Sequence, residues 1–263
     1  MITGYSNTIS VTTIYDSDAQ AFFDRVTAAG GTLTTTEKTA ANQLVLDMKA
    51  ASIWTSMKAV YPMIGASAAA CAQNLKSSSF TGTFTSGWTF ASTGVTPNGT
   101  SAFMDTGFNE ASNLTSNSVH LSFYSRTTTS VDFMAFMGVV IFTGFFSMIA
   151  QADNTSSDFA CQSVLSAANR ANTNTQGFFL ATRQISTEFN SFIRNVKVTH
   201  TKASQTLANI PYYIGARNLA GAGNGYSNKQ CAFASMGDGL TDTQASNFYT
   251  AVQAFQVSLS RNV

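Results

Sequence analysis

The chain has 263 residues and a nearly balanced charge, 14 Lys+Arg against 13 Asp+Glu for a net +1. That length supports one full core, as one domain or one and a half, and the near-zero charge leaves no electrostatic footprint for nucleic acid, so neither DNA nor RNA is expected as a partner. Only 10% of residues are charged, whereas Ser, Thr and Asn total 85 and Phe 21. An uncharged polar surface over an aromatic core suits a β-rich fold and excludes disorder.

In chain order, residues 5–15 (YSNTISVTTIY) predict an extended lead. The start, MITGYSNTIS, has no basic or apolar leader pattern, so no signal peptide is expected; a polar, weakly charged β-rich chain without one is a combination that virion proteins show. Ser17 with Gln20 forms an S-x-x-Q capping box, and Phe22, Phe23 and Val26 follow at helical spacing until Gly30-Gly31. Thr34 with Glu37 starts a second helix whose apolar face is Ala41, Leu44, Val45 and Met48. A third short helix is expected around Ile53, Trp54 and Met57, ending before Pro62.

From about residue 80 the apolar period drops to two, in nine to eleven short runs broken by Gly, Asn, Ser and Thr, which predicts a β-sandwich. The run 133–152 is long and apolar enough to span a membrane. Thr143-Gly144 near its middle, strand-like neighbours and the lack of flanking Lys/Arg clusters favour two buried strands instead. The polar tract at 169–177 reads as a loop. Thr241 with Gln244 makes a third capping box, Leu240 a staple, and Ala245, Phe248, Tyr249, Val252 and Phe255 the buried face of a closing helix. The expected division is 1–65, an extended lead and helical region, and 66–263, the sandwich with its terminal helix.

The stretches NGTSAFMDTGFNEASNLTSNSVHLSFYSR (98–126), FIRNVKVTHTKAS (192–204), PYYIGARN (211–218) and CAFASMGDGLTDTQASNFYTAVQAF (231–255) resemble, in order and spacing, a laminin-G-like, concanavalin A-like jelly roll. In the second stretch Asn195-Val196 stands where the family has Asn-Gly, a degenerate turn. The helices in GGTLTTTEKTAANQLVLDMKAA (30–51) resemble what precedes such a domain in structural proteins of bacteriophages, especially those of Bacteroidetes hosts. The resemblance covers roughly residues 16–263. It implies a mainly β jelly-roll sandwich, virion assembly and, in some members, glycan or protein binding.

The residues offer little for catalysis. Glycoside hydrolysis needs two flanking carboxylates, and the only glutamates are Glu37, a cap residue, Glu110 in a loop and Glu188 in a turn with no second acid nearby. His120 and His200 are isolated, no G-x-S-x-G elbow exists, and Cys71, Cys161 and Cys231 form no zinc or redox motif. The run 221–225 (GAGNG) lacks the helix that a phosphate loop requires. Calcium would need Asp105, Asp153, Asp158 or Asp238, but no D-x-[DN]-x-[DN] loop is present. No catalytic residue or metal site is therefore expected, and no cofactor, with calcium the one ion that these aspartates leave open. Glycan binding asks for aromatics beside Asn, Asp and Arg on loops, and Arg217, Asn224 and Tyr226 fit by type; Trp88 reads as core.

The expectation is a virion structural protein that self-associates, with Phe22, Phe23, Leu44 and Met48 as the assembly contact and other virion proteins as partners. Its oligomer would have cyclic symmetry. The alternative is an adhesin that binds host-surface glycans on the same sandwich.

Overall fold

Three capped helices frame the fold. The computed structural model describes residues 14–128, 133–141, 145–164 and 168–263. Most of the extended lead expected over 5–15, and the Thr143-Gly144 turn, lie outside the described residues. Helix α1 (Ser17–Ala28) is capped one residue earlier than the S-x-x-Q box implies: Asp16 accepts from the Asp18 amide. Helices α2 (Thr35–Ala50) and, at the other end of the chain, α5 (Asp242–Ser258) both carry the full reciprocal boxes, Thr34 with Glu37 and Thr241 with Gln244. A good cap is worth about 1 kcal/mol.

The expected third helix is not there. A single 3-10 turn, Trp54–Ser56, leads into strand β1, Met57–Tyr61. The apolar spacing of this segment serves burial on both sides of a strand: Val60 joins the helix-side core and Tyr61 the core between the sheets. A sandwich strand therefore lies inside the 1–65 segment.

A short helix α3 (Ala68–Cys71) follows, then β2 (Thr83–Phe84), β3 (Trp88–Ala91), β4 (Gly94–Pro97) and β5 (Met104–Asp105). After helix α4 (Glu110–Asn113) come β6 (Val119–Ser125), β7 (Met134–Ile141), β8 (Phe145–Asp153), β9 (Ser156–Val164) and β10 (Ala168–Ala171). Next are β11 (Gly177–Arg183), β12 (Phe189–Ile193), β13 (Val196–His200), β14 (Tyr213–Ile214), β15 (Arg217–Leu219), β16 (Ala222–Asn224) and β17 (Cys231–Gly237). Part of the tract read as a loop is thus a strand: β10 pairs antiparallel with β9, with Asn169 opposite Asp158.

The strands form two sheets. The first runs β13-β12-β11-β6-β17-β4-β3, with β1 beside β17; the second runs β10-β9-β8-β7-β14-β5-β2, with β15 on β7 and β16 on β15. The run 133–152 supplies the paired strands β7 and β8 in the middle of the second sheet. No helix among the described residues is long and apolar enough to cross a membrane. The mainly β sandwich with N-terminal helices and a C-terminal helix is the architecture expected from the sequence.

The middle strands of the first sheet, β6, β11 and β17, are covered on both faces, which explains their continuous apolar runs. On β6, Leu121 and Phe123 face the second sheet while Tyr124 faces the helices; on β11, Phe179 and Ala181 face inward while Phe178 and Leu180 meet the helices. This layering corrects the assembly contact. Phe22, Phe23, Leu44 and Met48 are 0–2% exposed and pack with Phe178, Phe233 and Phe248 of the same chain. Their apolar stripe is already used in cis, because the first sheet's outer face offers a matching aromatic surface.

One turn also departs from expectation. The β12–β13 hairpin turns at Arg194-Asn195, not Asn195-Val196, with Ile193 paired to Val196. Both turn residues have positive φ, 47° and 66°, the type I′ geometry that usually takes glycine. The Arg194 guanidinium secures it by donating to the Asn174 and Gln176 carbonyls at 2.9 and 2.8 Å.

Candidate functional site

The helices pack on the first sheet, so the outer face of the second is the sandwich face they leave open. Side-chain alternation decides what stands there. Ile214 pairs with Met104 and Met137, all within the inner core, so the intervening Tyr213, opposite Asp105 and Gly138, points outward. Phe103, two positions before Asp105, shares that face and stacks on Tyr213 with ring centroids 4.2 Å apart and planes 18° off parallel. Tyr213 is buried beneath Phe103, which is itself half-buried. An aromatic pair of this kind contributes about 0.5–1.5 kcal/mol beyond its buried area.

Beside it lies the β15–β16 hairpin, in which Leu219 faces Ala222 across a turn at Ala220 and Gly221. The positive φ of both turn residues, 50° and 100°, makes this a type I′ turn, which is what the glycine-rich run is for. Strand β15 runs parallel to β7, placing Arg217 next to Gly138.

Arg217 Nε and Nη2 both donate to Asn224 Oδ1, at 2.9 and 2.7 Å. The guanidinium lies over the Phe133 ring, 4.6 Å from its centroid. Tyr226 packs on the hairpin backbone: a Cβ added at Gly223 would meet its hydroxyl at 2.7 Å, so only glycine allows the ring to sit there. The three residues singled out from sequence, Arg217, Asn224 and Tyr226, are thus brought together, all half-buried. Sequence reasoning missed Phe103, Phe133 and Tyr213. That Phe103 and Tyr213 share this face follows from strand register, which no local motif reveals.

The other candidates fall elsewhere. Trp88 is half-buried against Phe84, at 5.1 Å, on the inner side of the sandwich edge. Its Nε1 is enclosed without a hydrogen-bond partner among the described residues. The aspartates considered for calcium are dispersed. Asp153 caps its own turn through Thr155 and Ser156, Asp238 pairs with Lys58 at 2.9 Å, Asp158 accepts from Asn169, and Asp105 accepts from the Gly107 amide.

Glu110 is not a loop residue but the first residue of α4, and it is 2% exposed. Its Oε2 accepts from the Ala208 amide at 3.0 Å, its Oε1 accepts from the Tyr212 hydroxyl, and Ser147 bonds the same carboxyl. Burial pushes this carboxyl above the usual range. The group ties the 207–212 segment to α4 from inside the core.

Glu188, in turn, does have a second acid near it. It lines a cleft of about 340 Å³ together with Gln184, Asn190, Lys197 and Asp242. Fifty-odd residues of sequence hid that pairing, and α5's N-terminus supplies it. Asp242 is engaged there by Lys197 at 2.6 Å and by Asn190 at 3.1 Å.

Known proteins with related structures can be set beside this geometry. No family model matches the chain, and no curated protein matches it in sequence. Domain 4 of an extracellular arabinanase from Geobacillus stearothermophilus, solved in complex with arabinotriose, superposes with a TM-score of 0.51 at 14% identity, covering 73% of this chain and 98% of that one. A mutant of Trypanosoma rangeli sialidase displaying trans-sialidase activity gives a TM-score of 0.53 at 7% identity, covering 81% of this chain but 39% of the sialidase. The likeness is one of fold. This chain therefore shares a sandwich architecture with a whole accessory-sized domain and with about two fifths of a larger enzyme.

Proposed function

We propose that the chain is a carbohydrate-binding module that holds glycans on the outer face of its second sheet. The observation that carries the reading is the Phe103–Tyr213 stack standing beside the Arg217–Asn224 hairpin and Asp105 on the face free of helices. Sugars present apolar C–H faces that pack on aromatic rings and a rim of hydroxyls that need oriented donors and acceptors. This patch supplies both. The arabinotriose complex of the domain described above supports the reading by analogy of fold.

The role is binding rather than cleavage. Glu110 is enclosed with both carboxyl oxygens bonded, and Asp242 in the end cleft is held by two side chains of the protein. No catalytic residue, metal or cofactor is part of the reading. A virion surface, with self-association and virion partners, enters only as the setting implied by the sequence resemblance, where such a module would be displayed to host glycans.

The test is a broad glycan array followed by calorimetric titration, with arabinotriose among the ligands. Phe103→Ala and Tyr226→Ala are expected to lower the affinity for any hit at least tenfold with melting temperature changed by only a few degrees. No binding across the array, or binding untouched by both substitutions, would remove the proposal.

A further inference from the structure

Arginines in this chain follow a pattern, and Arg217 breaks it. Arg183 is fully buried and spreads its donors over the carbonyls of Cys161, Ile185, Glu188 and Lys202. Arg261, also buried, reaches the carbonyls of Met63, Pro62 and Ala232 and the Gln256 side chain. Arg25, Arg126, Arg170 and Arg194 likewise each reach two or more acceptor atoms. Among the described residues the Arg217 fork meets one acceptor atom, Asn224 Oδ1, through Nε and Nη2. The ion pairs among the described residues involve lysines, and none includes Arg217. Burial lowers its pKa.

The geometry has a direction. Asn224 occupies the side edge of the guanidinium, Nε with Nη2. Phe133 fixes the plane from one face at 4.6 Å. Among the described residues, what is left is the terminal edge, Nη1 with Nη2, which is one of the two edges on which a planar guanidinium binds a carboxylate in a bidentate pair. A half-buried cation over an apolar ring gains more from such a pair than an exposed one does, because less water screens it. Asp105 stands at the far side of Tyr213, two strand spacings or about 10 Å from Gly138, and Arg217 is next to Gly138. One end of the aromatic platform is thus cationic and the other anionic.

We propose that this face selects acidic sugars, a uronic or nonulosonic acid residue whose carboxylate pairs with the terminal edge of Arg217 while its ring lies toward the Phe103–Tyr213 stack. This inference rests on the carbohydrate-binding reading and names the ligand class for that same site. Asp105 at the opposite end disfavours a second anion there and accepts from sugar hydroxyls instead. The preferred ligand therefore carries one carboxylate at the Arg217 end, not a run of charges along the face.

Matched probes separate charge from shape: 3′-sialyllactose and trigalacturonate, each against its own methyl ester. The expected result is a free acid that binds about tenfold tighter than its ester in low salt, the advantage shrinking as NaCl is raised. Arg217→Gln removes the cation. Asn224→Asp keeps the hairpin's shape and supplies an internal carboxylate that neutralises it. Both should bring the acid-to-ester ratio to about one, with melting curves confirming the fold. Equal binding of acid and ester by the unaltered protein, or a ratio unchanged in both variants, overturns the acidic-sugar inference but leaves the glycan-binding reading intact. Silence toward every acidic and neutral probe overturns the glycan-binding reading itself.

Discussion

His120 makes the stability of this fold depend on pH in a way that one substitution can isolate. The ring is fully buried between β6 and α5, edge-on to Phe248 at 6.1 Å. Its Nδ1 lies 2.6 Å from the Asp238 carbonyl oxygen, which can only accept, so Nδ1 carries the proton; Nε2 then accepts from the Ser235 hydroxyl at 3.2 Å. Ser122 and Ser235 complete the chain at 2.7 Å. The neutral ring is satisfied and the charged ring is desolvated, so burial lowers its pKa from 6.5 to about 4. Between those values the unfolded chain binds a proton that the folded chain refuses, so stability falls as pH falls. The full loss, reached near pH 4, is about 3 kcal/mol at 1.36 kcal/mol per pH unit. Urea unfolding of the parent and of His120→Gln should be measured from pH 4 to pH 8. The parent's advantage over the variant should grow by about 3 kcal/mol between pH 4 and pH 7. Parallel profiles would refute the reasoning, because they would mean the buried ring titrates as it does in water.

Two further outcomes test the layering and the buried carboxyl. Leu44→Ala, at a side chain 1% exposed in the helix–sheet core, should cost 2–5 kcal/mol in chemical unfolding and leave the native mass unchanged; a lost oligomer with unchanged stability would restore this stripe as an assembly contact. Glu110 has the opposite pH sign to His120. Its carboxyl is pushed above 4.5 by burial, so stability is lost as pH rises from about 4.5 through the folded value. Glu110→Gln can donate to Tyr212 and accept from the Ala208 amide, so it should keep the fold and flatten that decline in melts at pH 5 and pH 8; an unchanged slope would show that another group is responsible.

Local events can be read along the chain, because their causes are local. The boxes Thr34/Glu37 and Thr241/Gln244 cap α2 and α5 as the residues three apart require, and the period-two runs around 118–126, 177–186 and 231–237 are strands. The two halves of 133–152 pair with each other, as a turn near Thr143 would have them do. Arg217, Asn224 and Tyr226 stand out in the sequence by residue type alone; it is the β15–β16 turn that sets the first two opposite each other.

Which apolar surface meets which depends on the packing of distant segments. Phe22, Phe23, Leu44 and Met48 form a stripe that would look the same against another copy or against the chain's own sheet. The aromatic outer face of β6, β11 and β17 settles it in cis. The segment 57–61 carries helix-compatible spacing yet becomes a strand, because the free edge of β17 offers it backbone partners and two cores to fill. Phe103 and Tyr213, 110 residues apart in sequence, stack only because β5 and β14 are neighbours in register. A one-residue shift of either strand would turn its own ring into the core and break the stack. This aromatic face is thus a product of register, a long-range property that the local pattern of residues does not encode.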